Sequence, residues 1–332
     1  MPIYARLESF AVSSKRDTIS GRLATQHKSR SGIISARRAG ADSNLSQVKK
    51  ILLIILFLNV ATALAKSVWG AFSHSISMQA DGVHSFLDAT SNVTGLIGVW
   101  LASHPPDKEH PYGHQKFETF AAFCISVFIF VGCYKVLESS YTRFQDSGAV
   151  EVTTTSFVIM FVTLAVNLFI TRWERREGKR LRSEVLIADA AHTQSDIYVS
   201  LSVIGSLVAG KMGYAVLDPL IAVVIAGIIG KVGWEILLES SKALTDVSRI
   251  DAKAIVEIVM KLPQVEACHA VRTRGSMNHV HVDLHIHVVP EMSIERGHEV
   301  THLVECQIME TFPQVAEVIV HLEPHIPGLK ND

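Results

Sequence analysis

The sequence predicts a helical membrane body of six spans, arranged as two inverted three-helix repeats, followed by a small cytosolic α+β domain of αββαβ order, ferredoxin-like or metallochaperone-like. Three observations lead there. Six apolar stretches, approximately 50–72, 78–102, 117–138, 154–172, 185–210 and 214–238, each approach the ~20 residues a spanning helix needs. The basic residues fall in alternate connections. From about Asp246 the long apolar stretches give way to short segments of helical and strand period.

The spans are taken in order. Residues 1–46 are rich in Ser and Arg without an apolar period and read as a flexible basic arm on the cytoplasmic side. Lys49 and Lys50 followed by the run 51–60 imitate a signal peptide, but the apolar stretch continues through Val68, Trp69 and Phe72, so it reads as a span. The connection after span four holds Arg172, Arg175, Arg176, Lys179, Arg180 and Arg182, and Lys108 and Lys116 lie between spans two and three. With the basic arm these positions share one face of the membrane, which the positive-inside rule makes the cytoplasm and which places both termini there. The division expected is 1–46 arm, 47–245 transport domain, 246–326 cytosolic domain and 327–332 tail.

The domain after 246 reads as helix 252–262, strands 265–274 and 278–289, helix 294–312 and strand 316–322. In the second strand His279, His281, Asp283, His285 and His287 alternate with Val280, Val282, Leu284, Ile286 and Val288. Side chains alternate across a strand, so the aliphatic row packs on the helices and the histidine row occupies the open sheet face. His321 and Glu323, two apart in the last strand, join that face.

Composition narrows the function. Hydrophobic residues make up 48% and charged residues 19%, below the about 25% of soluble domains. A net charge of −1 gives no field to draw nucleic acid. The four cysteines form no CxxC pair, so neither a zinc ribbon nor a redox motif is indicated, and Cys268 and Cys306 read as buried small hydrophobes. Nine of the sixteen histidines lie from His269 onward, a bias that needs a cause.

One phrase occurs twice inside the membrane body. Ala80, Asp81, His84 and Asp88 recur as Ala188, Asp189, His192 and Asp196, 108 residues later. Positions i and i+4 share a helical face, so each copy offers an imidazole and a carboxylate together. Spans two and five run in opposite directions, as in the inverted repeats that place transporter sites near mid-membrane. Four N/O ligands suit Zn²⁺ at ~2.0–2.2 Å. A carboxylate in hydrocarbon costs about 2.5–3.5 kcal/mol, so such a group needs a cation, a proton or a partner. Asp81 and Asp189 stand nearer the span ends, where capping or gate lining competes with ligation.

The paired HxxxD, the six spans and the αββαβ domain resemble the cation diffusion facilitator family, the bacterial zinc/iron exporter type, over roughly residues 48–325. The resemblance implies a homodimer in a bacterial inner membrane that exports divalent metal in exchange for protons, with no organic cofactor. It implies a transport site at His84, Asp88, His192 and Asp196. Some relatives carry Asp where His84 stands; imidazole favours Zn²⁺ over Mn²⁺, with Fe²⁺, Cd²⁺ and Co²⁺ open. It further implies a loop metal site at Asp107, His110 and His114. The cytosolic binuclear site falls on His269, His285, His321 and Glu323, with His298 from a helix, and zinc there is structural or regulatory. The longer Glu323 replaces the usual Asp. Lys116 and Asp246 match a salt bridge that braces the dimer. His279, His281, His287, His302 and His325 match no family ligand. Two readings from other classes stand beside export: an intramembrane zinc hydrolase, against which four ligands leave no open position, and a membrane-anchored zinc sensor.

Overall fold

The computed structural model describes residues 43–69, 71–72, 76–145, 154–211 and 217–326, with three isolated positions before 43. Side chains are outside the description for part of these helices, 76–84 among them, and so are nearly all of the N-terminal arm and the tail 327–332. The chain falls into two compact units that divide between Thr245 and Asp246. Lys116 and Asp246 belong to different units, and each unit is described by itself.

The first unit is a bundle of six long helices: α1 (Ser43–Trp69), α2 (Ile76–Ala102), α3 (Lys116–Gln145), α4 (Thr154–Leu181), α5 (Glu184–Lys211) and α6 (Leu217–Leu244). Three of them, Ser43–Trp69, Lys116–Glu138 and Leu220–Leu244, have the length and apolar composition of a span among the described residues. Helices α2, α4 and α5 do not reach that composition among the described residues. Large apolar side chains point outward on both kinds of helix, including Phe57, Ile97, Phe161, Phe169 and Val224. A surface of that character is solvated by lipid rather than water.

Small residues set the helix spacing. A Cβ at Gly98 would lie 2.3 Å from the Cβ of Ala121, so α2 and α3 touch at a position only glycine fits. Inside the bundle Leu52, Ile55, Val99, Ile125, Ile170, Val185 and Leu186 form a dry core.

The basic stretch expected to be a connection is instead the last turns of α4, which continues to Leu181. Only Arg182 and Ser183 separate it from α5. Arg182 takes the left-handed conformation at φ 52°, and the Ser183 amide donates to the Gly178 carbonyl at 2.9 Å. The Ser183 hydroxyl accepts from the Leu186 amide at 3.3 Å and donates to Glu118 of α3. One residue thus closes α4, caps α5 and ties both to α3.

The second unit runs α7 (Ala252–Val259), β1 (Ala267–Ser276), β2 (His279–Val288), α8 (Ile294–Thr311) and β3 (Val315–Pro324), the αββαβ order expected. Asp251 caps α7 through the Lys253 amide and Ser293 caps α8 through the Arg296 amide. The sheet order is β1-β2-β3, with β1 antiparallel and β3 parallel to β2. Val280, Val282, Leu284 and Ile286 are buried with Ile255, Val300, Val304 and Ile308 of the helices. The histidines of β2 therefore take the other face.

The hairpin between β1 and β2 depends on Gly275, whose φ is 124° and whose Cβ would fall 2.1 Å from the His279 carbonyl oxygen. A bulge between His269 and Arg272, with Ala270 at φ 49°, resets the register further along. The result places His269 opposite His285 and His285 opposite His321, one row across three strands. The next row pairs His287 with Glu323.

Candidate metal sites

In the bundle, Asp88 of α2 meets His192 and Asp196 of α5, and one ligand atom from each lies within 4.8 Å of the others. His192 and Asp196 are one helical turn apart on α5, so they present together. His84 lies one turn before Asp88 on α2, and its side chain is outside the described residues, as is that of Asp81. The three ligands open on a small pocket lined by α1, α2, α4 and α5. Its lining is polar throughout: besides the ligands, it includes Asn59, Thr62, Lys66, Thr163 and Asn167. Such a lining within an apolar bundle provides a hydrophilic station for an ion.

Two further residues, Lys66 in this pocket and Asp189 beside it, take roles that the sequence expectations did not give them. Lys66 of α1 is 9% exposed and its Nζ donates to Ser85 Oγ at 2.9 Å, which puts a fixed cation in the same chamber as Asp88 and Asp196. A lysine inside the apolar run of span one was the available signal. Asp189 is fully buried, yet it turns to α2: Oδ1 accepts from Ser91 Oγ at 2.8 Å and Oδ2 from Asn92 Nδ2. Asn92 Oδ1 in turn accepts from Asn59 Nδ2 of α1 at 2.8 Å. Asp189 thus stands outside the ligand cluster as a strut between helices.

The loop between α2 and α3 brings Asp107, His110 and His114 together, again within 4.8 Å. Asp107 Oδ1 accepts from the amides of Glu109 at 2.9 Å and His110 at 2.6 Å, while Oδ2 lies 3.4 Å from His114 Nε2. The His110 amide holds this carboxyl below the usual range; partial burial opposes it, and the Glu109 amide and the two imidazoles reinforce it. The rings of His110 and His114 are 4.4 Å apart.

On the sheet, Glu323 is central. Its Oε1 lies 2.8 Å from His285 Nδ1 and 3.5 Å from His321 Nε2. Its Oε2 lies 3.4 Å from His269 Nε2 and 3.1 Å from His287 Nε2. Burial pushes the Glu323 carboxyl up, but hydrogen bonds from His285 and His269 outweigh it, and the net shift is downward. The longer arm of Glu323 therefore reaches the imidazoles well. His269, His285, His321 and Glu323 are brought together as the resemblance implied. His298 does not join them: on α8 its Nε2 lies 3.1 Å from His302 Nε2. His287 takes a place in the cluster without having been expected there. The rings of His279 and His281 meet edge to face at the far end of β2, where His281 lies 3.1 Å from Glu317. Cys268 stands apart from the ligands; burial pushes its thiol up to about 11, which suits a packing role.

The hydrolase reading must also be weighed against α8, where His298, Glu299, Val300, Thr301 and His302 spell an HExxH pentapeptide that the sequence expectations left out. In zinc proteases the Glu of this motif faces a metal-bound water. Here Glu299 is paired with Arg296 and is 4% exposed, and His302 Nδ1 lies 3.1 Å from Glu305 Oε2; His298, His302 and Glu305 do not gather into a metal-ligand group among the described residues.

Comparison with known proteins decides the family. The model of the cation efflux transmembrane domain matches residues 52–245, and that of the cation efflux protein cytoplasmic domain matches 247–325. The chain belongs to the cation diffusion facilitator family. Members of the cation diffusion facilitator family are membrane transporters, and this assigns the chain to divalent metal cation efflux. It is 30% identical to the uncharacterized transporter MJ0449 of Methanocaldococcus jannaschii, covering 84% of this chain and 99% of that one. It is 31% identical to the manganese efflux system protein MneS of Bacillus subtilis, over 78% of this chain and 89% of MneS. The cation-efflux pump FieF of Shewanella oneidensis is 30% identical over 80% of this chain and 92% of its own. Among solved structures, the copper form of the MamM CTD is 24% identical, covering 24% of this chain and 87% of its own at a TM-score of 0.23.

Proposed function

We propose that this cation diffusion facilitator is a proton-coupled exporter of divalent cations with Zn²⁺ as its principal cargo, working by alternating access in a six-span bundle. The observation that carries the reading is the convergence of Asp88, His192 and Asp196 from two helices on one polar pocket. The i,i+4 spacing to Asp88 makes His84 the expected fourth ligand. Loading the cation requires neutral imidazoles and ionised carboxylates, so metal and protons compete for the same lone pairs. Imidazole with a reference pKa of about 6.5 changes state within the physiological range, so the outward-open site releases metal as it gains protons. Imidazole ligands favour Zn²⁺ over Mn²⁺. The relative MneS is named for manganese, which makes Mn²⁺ the competitor to exclude.

The protein acts as a homodimer in the inner membrane of a bacterium, with both termini in the cytoplasm, by the distribution of Arg and Lys among the connections. The loop cluster Asp107, His110 and His114 and the sheet cluster around Glu323 have donor sets that fit zinc and hold it for delivery or regulation. Such metal acts on transport through its differential affinity for two arrangements of the protein.

Proteoliposomes test this. An imposed pH gradient drives Zn²⁺ uptake that Asp196→Ala abolishes. Flux of Mn²⁺ without Zn²⁺ would overturn the cargo, flux indifferent to the gradient would overturn the coupling, and no flux of any dication would leave the sensor reading.

A further inference from the structure

We propose that Glu174 on α4 is a proton-binding residue of the exporter, separate from the metal ligands, which holds its proton against Asp189 until a dication reaches the ligand cluster. The proposal deepens the reading of the chain as a proton-coupled exporter and rests on it.

Glu174 is 0% exposed, and neither of its carboxyl oxygens meets a donor among the described residues. Its carboxyl instead forms a hydrogen-bonded pair with that of Asp189 on α5, which is also 0% exposed. Two carboxylates in contact in a dry interior cannot both stay ionised, so the pair keeps a proton between them. The hydrogen bonds say which acid carries it. Both oxygens of Asp189 already accept, from Ser91 Oγ and Asn92 Nδ2, as an ionised carboxylate does. Glu174 therefore carries the proton, and its O–H donates to Asp189. A neutral carboxyl with one good acceptor is the form that an apolar bundle tolerates.

The charged groups packed around Glu174 leave it to Asp189, which is the charge that acts on it among the described residues. Lys66 of α1 and Asp88 of α2 act on Asp196. Glu118 of α3 accepts from Ser183 and faces Glu184 of α5. On α4 itself Arg172, Arg175 and Arg176 are exposed, with Arg175 bonded to Gln194. Glu174 and Asp189 are absent from the lining of the metal pocket, so the proton they share and the metal occupy different places.

The two places are nevertheless linked. Asp189 lies one turn before His192 on α5, and its charge is felt at Asp196. Such an interaction is reciprocal. A dication that neutralises Asp88 and Asp196 makes the surroundings of Asp189 less negative, and the ionised form of Glu174 becomes tolerable. Metal arrival thus releases the Glu174 proton together with those of the ligands, and metal departure draws it back.

The experiment counts protons. Full-length protein in detergent and weak buffer at neutral pH receives Zn²⁺, a pH indicator records the protons released, and metal analysis records the zinc bound. Glu174→Gln is expected to release about one proton fewer per chain at an unchanged zinc count. The Gln amide still donates an N–H to Asp189, so a merely structural role leaves the proton count where it was. The loop and sheet clusters release the same number in both proteins and cancel in the difference. An unchanged proton count overturns the proposal, and a lower zinc count overturns the separation from the ligands. Thermal unfolding checks that the variant is folded; should it fail, Glu174→Met, of similar length and without a proton to give, carries the same expectation. A missing proton in Glu174→Gln combined with wild-type flux indifferent to a pH gradient would sink the coupling reading and leave the proton site standing.

Discussion

Asp189 on α5 receives the Ser91 hydroxyl and the Asn92 amide of α2, so the helix bearing His192 and Asp196 is bonded to the helix bearing Asp88 one turn away from the ligands. The carboxylate satisfies two buried donors at once, and the two halves of the metal cluster are held in register by a contact that contributes no ligand.

Replacing Asp189 by Ala removes the acceptor of the Asn92 amide, while the Ser91 hydroxyl keeps the Asp88 carbonyl at 2.9 Å, so the loss is about 1–3 kcal/mol. Metal stoichiometry at the transport site should be unchanged while affinity falls, because the ligands remain but lose their alignment. Thermal unfolding in detergent and zinc titration of the same sample distinguish this from a ligand's loss, which would lower the count.

Lys66 shares the pocket with Asp88 and Asp196. An incoming dication must compete with its ammonium for the carboxylates, and a departing one is replaced by it. Lys66→Met should therefore bind Zn²⁺ more tightly, by about tenfold or ~1.4 kcal/mol, and turn over more slowly. Uptake kinetics would record KM and kcat falling together. An unchanged KM would show that the lysine only braces Ser85.

Asp107 is held below the usual carboxylate range by the His110 amide first of all. A depressed folded-state value means that the loop gains stability above the ordinary carboxylate pKa of about 3.9 and loses it as pH falls through the depressed value. Carbon-13 titration of the side chain in metal-free protein should find a midpoint below that of free aspartate.

Much of this was legible in the sequence because period and spacing are local properties. The alternation from His279 to Val288 sets the two faces of β2, and HxxxD sets a shared helical face. Register is not local. The bulge at Ala270 and the parallel pairing of β3 place His287 beside Glu323, and nothing in either segment alone announces it. The same holds for Asp189, whose spacing from His192 resembles that of a ligand but whose burial against Ser91 and Asn92 comes from α2. Lys66 was visible as a charge in an apolar run; only the fold puts it in the chamber. The basic end of α4 reads as a connection because its charges break the apolar pattern, yet long Arg and Lys side chains continue a helix readily.

The turn at Arg182 and Ser183 has a mechanical result. With no slack between them and with Ser183 clamped to Gly178 and Glu118, α4 and α5 cannot slide lengthwise past each other. The two helices are coupled as one unit. In the proposed exporter, a tilt that moves His192 and Asp196 therefore drags the arginine-rich end of α4 with it, and a glycine-rich insertion at Arg182 would uncouple the two.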